Sequence, residues 1–373
     1  MEADQKVLVS TSFLKTTHGS LDCVSCHGGV EPASTRKEAH KGLVARPSAT
    51  ANSICAKCHQ AETAKIGWSL HLTNAGIVDL KNGVLAPRVN PEKLNVLQPA
   101  VDTHCASCHT SGCGDCHVSR PVASGTGFID GHNFIKTPNS VLNCTACHGS
   151  RIEKEMLAKG PENLGLKPDV HWSPAGMQCA SCHTSKWIHD PAQKSPDRYH
   201  VGEAPKCETC HVSKEGFYKN GMHAMHANPK AGTPDLQCQV CHSQPYNNCY
   251  ACHVGKDSKG LAFFKTDKSE FNFEIGKNPN PTAERPYAYV VVRHVPVAED
   301  TFAYYGQGLL SRFATQPTWK YATPHNIVKQ APQAKDCNSC HGNPNLFLQA
   351  KDVLPSELKA NEKVIVTSPP KKR

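Results

Sequence analysis

Apolar positions along the chain are scattered, and Pro and Gly interrupt them so often that the sequence predicts short helices joined by irregular loops. One stretch departs from this pattern. Phe271-Asn272-Phe273-Glu274-Ile275 alternates apolar with polar, and Tyr287 to Val295 is rich in β-branched and aromatic residues. Between them, Gly276-Lys277-Asn278-Pro279-Asn280-Pro281 has turn chemistry, so a β-hairpin is expected near residues 265–297. No run of about 18 apolar residues occurs, and no helical transmembrane span is expected.

Composition makes the core a problem. The 373 residues would fill two or three ordinary domains, yet only 38% are hydrophobic and 6% aromatic, while Gly and Pro number 26 and 27. Side chains of that composition make a poor close-packed interior of helices or sheet.

The cysteines resolve it. All 20 fall in ten Cys-x-x-Cys-His motifs. In chain order these are Cys23, Cys26 and His27; Cys55, Cys58 and His59; Cys105, Cys108 and His109; Cys113, Cys116 and His117; and Cys144, Cys147 and His148. Then come Cys179, Cys182 and His183; Cys207, Cys210 and His211; Cys238, Cys241 and His242; Cys249, Cys252 and His253; and Cys337, Cys340 and His341. In such a motif the two thiols add across the vinyl groups of haem, and the adjoining histidine ligates the iron. Zinc ribbons need pairs of pairs and no histidine at this offset. A disulfide framework would not repeat that histidine ten times. Ten covalent haems c are therefore expected, and these flat, largely apolar bodies become the core. Each motif puts its histidine about one turn beyond the first cysteine, so several are expected to open a short helix. A chain cored by cofactor is expected to have no stable apo fold.

Counting the cofactors also changes the charge. The formal charge is +9, but ten haems add about −20 from propionates and about +10 from ferric irons, leaving the oxidised protein near −1 on formal-charge logic. The lysines then read as propionate partners and solvated surface, and no nucleic-acid partner is expected. Met1-Glu2-Ala3-Asp4 lacks the n-region and h-region of a secretory signal. Since haem is attached to such motifs outside the bacterial or archaeal cytoplasmic membrane, an exported mature chain is expected, periplasmic or at the cell surface.

The motif spacing repeats. Cys23, Cys55, the close pair Cys105 with Cys113, and Cys144 are followed by Cys179, Cys207, the close pair Cys238 with Cys249, and Cys337. His132-Asn133-Phe134-Ile135-Lys136 starts 12 residues before Cys144, and His325-Asn326-Ile327-Val328-Lys329 starts 12 before Cys337. His71 follows His59 by 12 residues, as His223 follows His211. An internal duplication of a pentahaem unit is expected. Residues 1–155 form the first module, 156–255 with 325–373 the second, and 256–324 a haem-free insertion carrying the hairpin.

Twelve histidines lie outside the motifs. Five methionines cannot serve ten irons, so distal imidazoles are expected. Order and spacing select His18, His40, His71, His104 and His132 in the first module. In the second they select His171, His200, His223, His226 and His325. His189 and His294 are then surplus, with ligation and an ordinary hydrogen-bonded role evenly weighted for each.

With these motifs, spare histidines and close pairs, the chain resembles the multihaem c-type cytochromes of anaerobic respiratory bacteria and archaea, among them those of metal-reducing organisms. The resemblance rests on residues 18–253 and 325–342. It implies a haem-cored fold of irregular loops with short α-helices and little β, and a non-enzymatic role in electron transport. The implied partners are redox proteins or extracellular acceptors, with self-association into a filament as a further expectation. The alternative is a reductase of a small nitrogen or sulfur compound at one open-site haem. All ten proximal positions being histidine weighs against it.

Overall fold

Among the described residues, eight of the short helical elements lie on attachment motifs. Cys23–His27, Cys113–His117 and Cys238–His242 are five-residue helices, and Cys179–Cys182 and Cys337–Cys340 span four. Thr145–His148 and Glu208–His211 follow the same plan, and Ile54–Lys57 is a 3₁₀ turn. Helices this short do not hold in isolation, so local bonds support them. Asp115, inside its motif, accepts from the Gly112 amide at 2.9 Å, and its two carboxylate oxygens accept from Arg46 Nη2 at 2.8 and 3.0 Å. Asp336 caps the last motif by accepting from the Ser339 amide at 2.9 Å.

This computed structural model describes residues 9–372 except 50–53, 79, 81–85, 106–108, 110–111, 122–123, 161–164, 190–194, 196, 212–220, 229–232, 250–254, 257–261, 265–269 and 296–298. Two compact units are formed. One comprises Met1–Val78, Val101–Cys147 and Cys179–Gly202; the other comprises Asp79–Ala100, His148–Gln178 and Glu203–Arg373. The units interleave along the chain, and Cys179–Gly202, second-module sequence by the repeat, lies in the first. Among the described residues no helix is long and apolar enough to cross a membrane.

The expected hairpin is present in the second unit. Strands β1 (Glu274–Lys277) and β2 (Tyr289–His294) pair antiparallel, with Glu274 opposite Val292 and Lys277 opposite Tyr289. A third strand, β3 (Trp319–Tyr321), pairs with the other edge of β2, placing Val292 opposite Tyr321. Among the described residues, three further two-stranded pairings occur.

Both faces of β2 are covered, which explains the consecutive apolar residues Val290, Val291 and Val292. Val291 points into a cluster with Val240 of the eighth motif, Tyr246, Phe273, Ile275, Phe347 and Val366. Val290 and Val292 point the other way, toward Trp319, Leu348, Val353, Val364 and Ile365. The three valines are fully buried, each contributing roughly 1.5–3 kcal/mol by burial. Gly276 has to be glycine here: a Cβ would lie 2.8 Å from Val292 Cγ1 and 2.9 Å from Val364 Cγ1.

A buried polar clamp closes this core. Asn361 Oδ1 accepts from the Thr318 and Trp319 amides at 3.1 and 2.9 Å, and its Nδ2 donates to Thr318 Oγ1 at 3.0 Å. The Thr318 hydroxyl donates to Glu357 Oε2 at 2.8 Å, and His294 Nε2 sits 3.1 Å from the same oxygen. Burial alone would raise the Glu357 carboxyl, but these bonds and the charges of His294 and Arg88 hold it below the usual carboxylate value. A depressed carboxylate stabilises the fold above its unfolded pKa, and that contribution disappears as pH falls through the folded value. Glu357→Gln should therefore cost about 2 kcal/mol near neutral pH and progressively less below the carboxylate range. Denaturant unfolding followed by circular dichroism at several pH values checks this; a deficit independent of pH would contradict it.

Candidate haem centres

A nitrogen of imidazole binds a transition metal at about 2.0–2.1 Å, and the ring centre lies roughly 1.1 Å behind it, so two imidazoles on opposite sides of one metal have centres about 6.2 Å apart. Among the described residues, histidine pairs with this separation recur. His18 faces His59 at 6.0 Å, His27 faces His132 at 6.1 Å, and His117 faces His189 at 6.0 Å. His171 faces His211 at 6.0 Å, His223 faces His242 at 6.2 Å, and His226 faces His341 at 6.0 Å. Each pair joins one motif histidine to one histidine from elsewhere in the chain. The planes are near-parallel in four pairs, at 16–25°. They are near-perpendicular in the other two, at 73° and 72°. Free imidazoles in contact have no reason to stand at one separation six times, so the donor set fits a group placed between them.

The other ring nitrogen is accounted for in many of these residues. His27 Nδ1 lies 3.1 Å from Val44 O, His117 Nδ1 2.7 Å from Ile135 O, and His242 Nδ1 3.2 Å from Val328 O. His341 Nδ1 lies 3.1 Å from Pro370 O, and His226 Nδ1 2.7 Å from Met222 O. Only a protonated Nδ1 can donate to a carbonyl, which leaves the Nε2 lone pair for a metal and raises its basicity. His171 uses a carboxylate instead: Asp169 Oδ1 accepts from its Nδ1 at 3.0 Å and from its amide at 2.8 Å.

The two His-Asn-x-x-Lys segments each act as a bracket between centres. In the first, Phe134 stacks on His18 with ring centres 4.2 Å apart. The next residue, Ile135, binds motif histidine His117 twice, its amide donating to His117 O at 2.8 Å and its carbonyl accepting from His117 Nδ1 at 2.7 Å. In the second, the Ile327 carbonyl accepts from the Val170 amide at 2.9 Å, beside His171, and its own amide donates to Asp169 Oδ2 at 2.8 Å. Val328 donates to His242 O at 2.8 Å. Upstream, the His325 amide donates to Glu155 Oε2 at 2.8 Å, and Arg151 Nε lies 3.4 Å from Glu155 Oε1. Burial raises the Glu155 carboxyl, opposed by the Arg151 charge.

Thiols of different motifs also meet. Cys144 and Cys179 share a hydrogen bond, as do Cys207 and Cys238. Cys116 and Cys241 are each pushed up to about 11, first by burial. The neighbouring thiols Cys147 and Cys340, respectively, add to the push. Cysteines of different motifs, mostly successive ones, therefore come together within each unit.

The remaining candidates are placed as follows. Trp187 packs against both His71 and His183, at 6.3 and 5.0 Å between ring centres, so these two are neighbours. His104, His109 and His325 are partly buried, and His148 is exposed. His40 is exposed, and His200 gives its Nδ1 to Asp197 at 2.9 Å with about half its side chain exposed. Neither ring faces a motif histidine among the described residues. Cys108, Cys252 and His253 lie outside the described residues. Of the two histidines counted as surplus, the structure separates one from the other. His294 is buried with Nε2 on Glu357, whereas His189 faces His117 like the selected ligands do. Sequence order missed His189 because no repeated text surrounds it.

Residues 10–110 match the family described as cytochrome c7 and related cytochrome c. That match covers the first three motifs up to His109 and supports a multihaem c-type cytochrome with covalent haem. No curated protein and no solved structure matches the chain.

Replacing His189 with Ala in the haem-loaded protein should convert one haem to high spin, while His294→Ala should convert none. Electron paramagnetic resonance of the oxidised variants reads both; a high-spin signal from the second and not the first would reverse the assignment.

Proposed function

We propose that the chain holds ten covalent haems c and passes electrons singly along them. Most irons would carry two imidazoles: a motif histidine and His18, His71, His132, His171, His189, His223 or His226, with His104 and His325 serving further centres. The observation that carries this reading is the recurrence of facing histidine pairs at 6.0–6.2 Å. A six-coordinate, bis-imidazole haem changes oxidation state with little ligand movement, and the group supplies a reversible one-electron couple. The protein's work is to fix the imidazoles, shape their basicity through Nδ1, and bring attachment edges together. The contacts of Cys144 with Cys179 and of Cys207 with Cys238 place successive motifs edge to edge.

Covalent attachment to such motifs and the cytochrome c7 likeness of residues 10–110 favour an exported protein. In anaerobic respiration it would exchange electrons with redox proteins or an extracellular acceptor, and self-association into a filament is compatible with that role. The duplicated text supports two five-haem modules with the insertion at 256–324 in the second.

His40 and His200 favour a second reading. Neither faces a motif histidine among the described residues, and a haem lacking its distal imidazole would offer an open site for a small nitrogen or sulfur compound. Reductive titration separates the two. The conduit reading expects close to ten electrons per chain, taken up over a broad range because neighbouring haems interact, with no rapid turnover of nitrite, hydroxylamine or tetrathionate. Sustained turnover of any of these by the pure protein would favour the reductase.

A further inference from the structure

The two close pairs of motifs look equivalent in sequence, but the contacts around them are not. Around motif histidine His117 of the fourth motif, three bonds recur around His242 of the eighth: one at the imidazole Nδ1, one at the histidine carbonyl and one at the carbonyl two residues before it. The residue three past the His-Asn-x-x-Lys histidine, Ile135 or Val328, accepts from the imidazole Nδ1 at 2.7 or 3.2 Å. The same residue donates its amide to the motif histidine carbonyl at 2.8 Å in both places. A side-chain amide, one residue before the fifth motif in the first case and four before the tenth in the second, then binds one carbonyl inside the motif helix and one just past its end. Asn143 Nδ2 donates to Asp115 O at 2.8 Å and Ser119 O at 3.1 Å. Gln333 Nε2 donates to Val240 O at 3.1 Å and Ser243 O at 2.8 Å. Asp115 and Val240 occupy the same place in their motifs, immediately before the second cysteine.

The neighbourhood matches too. The second cysteine of the fourth motif adjoins that of the fifth, and the second cysteine of the eighth adjoins that of the tenth. On the far side of each bracket stand His18 and His171, facing the second and seventh motif histidines. Asn143 and Gln333 are buried, so each amide's bonds are made without competition from water.

We infer that the fourth and eighth motifs carry one repeated haem site, and that Asn143 and Gln333 are its positioning residues. Motifs three (Cys105) and nine (Cys249) are then additions to a shared four-haem frame, one before the repeated site and one after it. The amide fixes the short helix that bears both thioether bonds and the proximal imidazole, and so holds Nδ1 on its carbonyl. Without the clamp the helix relaxes, the Nδ1 bond lengthens, the imidazole becomes a weaker donor, and the ferrous state gains. This inference rests on haem attachment at the ten motifs.

The test uses the haem-loaded protein. Signals of the two haems are first assigned by His189→Gly and His223→Gly, which remove the imidazoles facing His117 and His242. Asn143→Leu and Gln333→Leu, similar in size but unable to donate, are then titrated with spectroscopic resolution of individual haems. Each should keep the parent's number of low-spin haems and shift one assigned signal upward. The expected shift is up to tenfold in ferrous-to-ferric ratio at fixed potential, which is about 59 mV for a one-electron couple. A Gln333→Leu shift falling on any other haem, or no shift in either variant, overturns the inference. If the leucine variants fail to accumulate, the exchanges Phe134→Ile with Ile135→Val, and Ile327→Phe with Val328→Ile, take their place. Because the shared contacts are backbone contacts, both exchanges should retain ten haems and leave the two assigned potentials within threefold of the parent. Loss of either assigned haem would overturn the inference. A chain that attaches no haem at all would instead refute the reading on which it rests.

Discussion

Two imidazoles that share one metal must face each other across a fixed gap, and the rest of this structure follows from meeting that requirement repeatedly. Each facing pair takes one ring from a motif and one from another segment, so every such pair ties two parts of the chain together. His18 and His59, or His226 and His341, are brought to 6.0 Å by loops with little secondary structure of their own. The supporting bonds serve the same end. Carbonyls of Val44, Ile135, Val328 and Pro370 fix the motif rings, and Asp169 fixes His171. A protein organised in this way needs few apolar side chains, which is the composition the sequence has.

One region packs conventionally. The three-stranded sheet and the segment from Phe347 to Val366 bury valines on both faces of β2 and close over the Glu357–His294–Thr318 clamp. This core reaches the eighth motif through Val240 and Tyr246, which pack on the same face as Val291. Gln333 and Gln237 extend the connection with bonds to Val240 O and from Gln237 Nε2 to Ala322 O. The sheet thus acts as a stiff support behind the eighth motif, where the equivalent fourth motif has Arg46 bound to Asp115.

Much of this was legible in the sequence because the motifs carry their own geometry. Helical turns at the motifs and the hairpin of β1 with β2 follow from local spacing and alternation. The third strand, Trp319–Tyr321, did not announce itself, since three residues show no period and its partner is chosen by the sheet edge. The contribution of Val353 to Val366 to the core was hidden likewise by its distance along the chain from β2. Histidine pairing was legible in kind but not in detail: spacing selected His18, His132, His171, His223 and His226, all of which face a motif ring. It could not distinguish His189 from His294, because what decides is a residue across the fold, His117 for one and Glu357 for the other. The match between fourth and eighth motifs was concealed by the close pairs, whose similar spacing joins motifs that the brackets and amide clamps hold differently.

The central claim is that facing histidines of this chain hold its irons from both sides. Near-infrared magnetic circular dichroism of the oxidised, haem-loaded protein tests it most directly, since that spectrum reports the pair of axial ligands at each low-spin ferric haem. The account predicts a spectrum dominated by bis-imidazole haem, with an intensity corresponding to most of the ten irons. A spectrum dominated by methionine–imidazole or high-spin haem would contradict it.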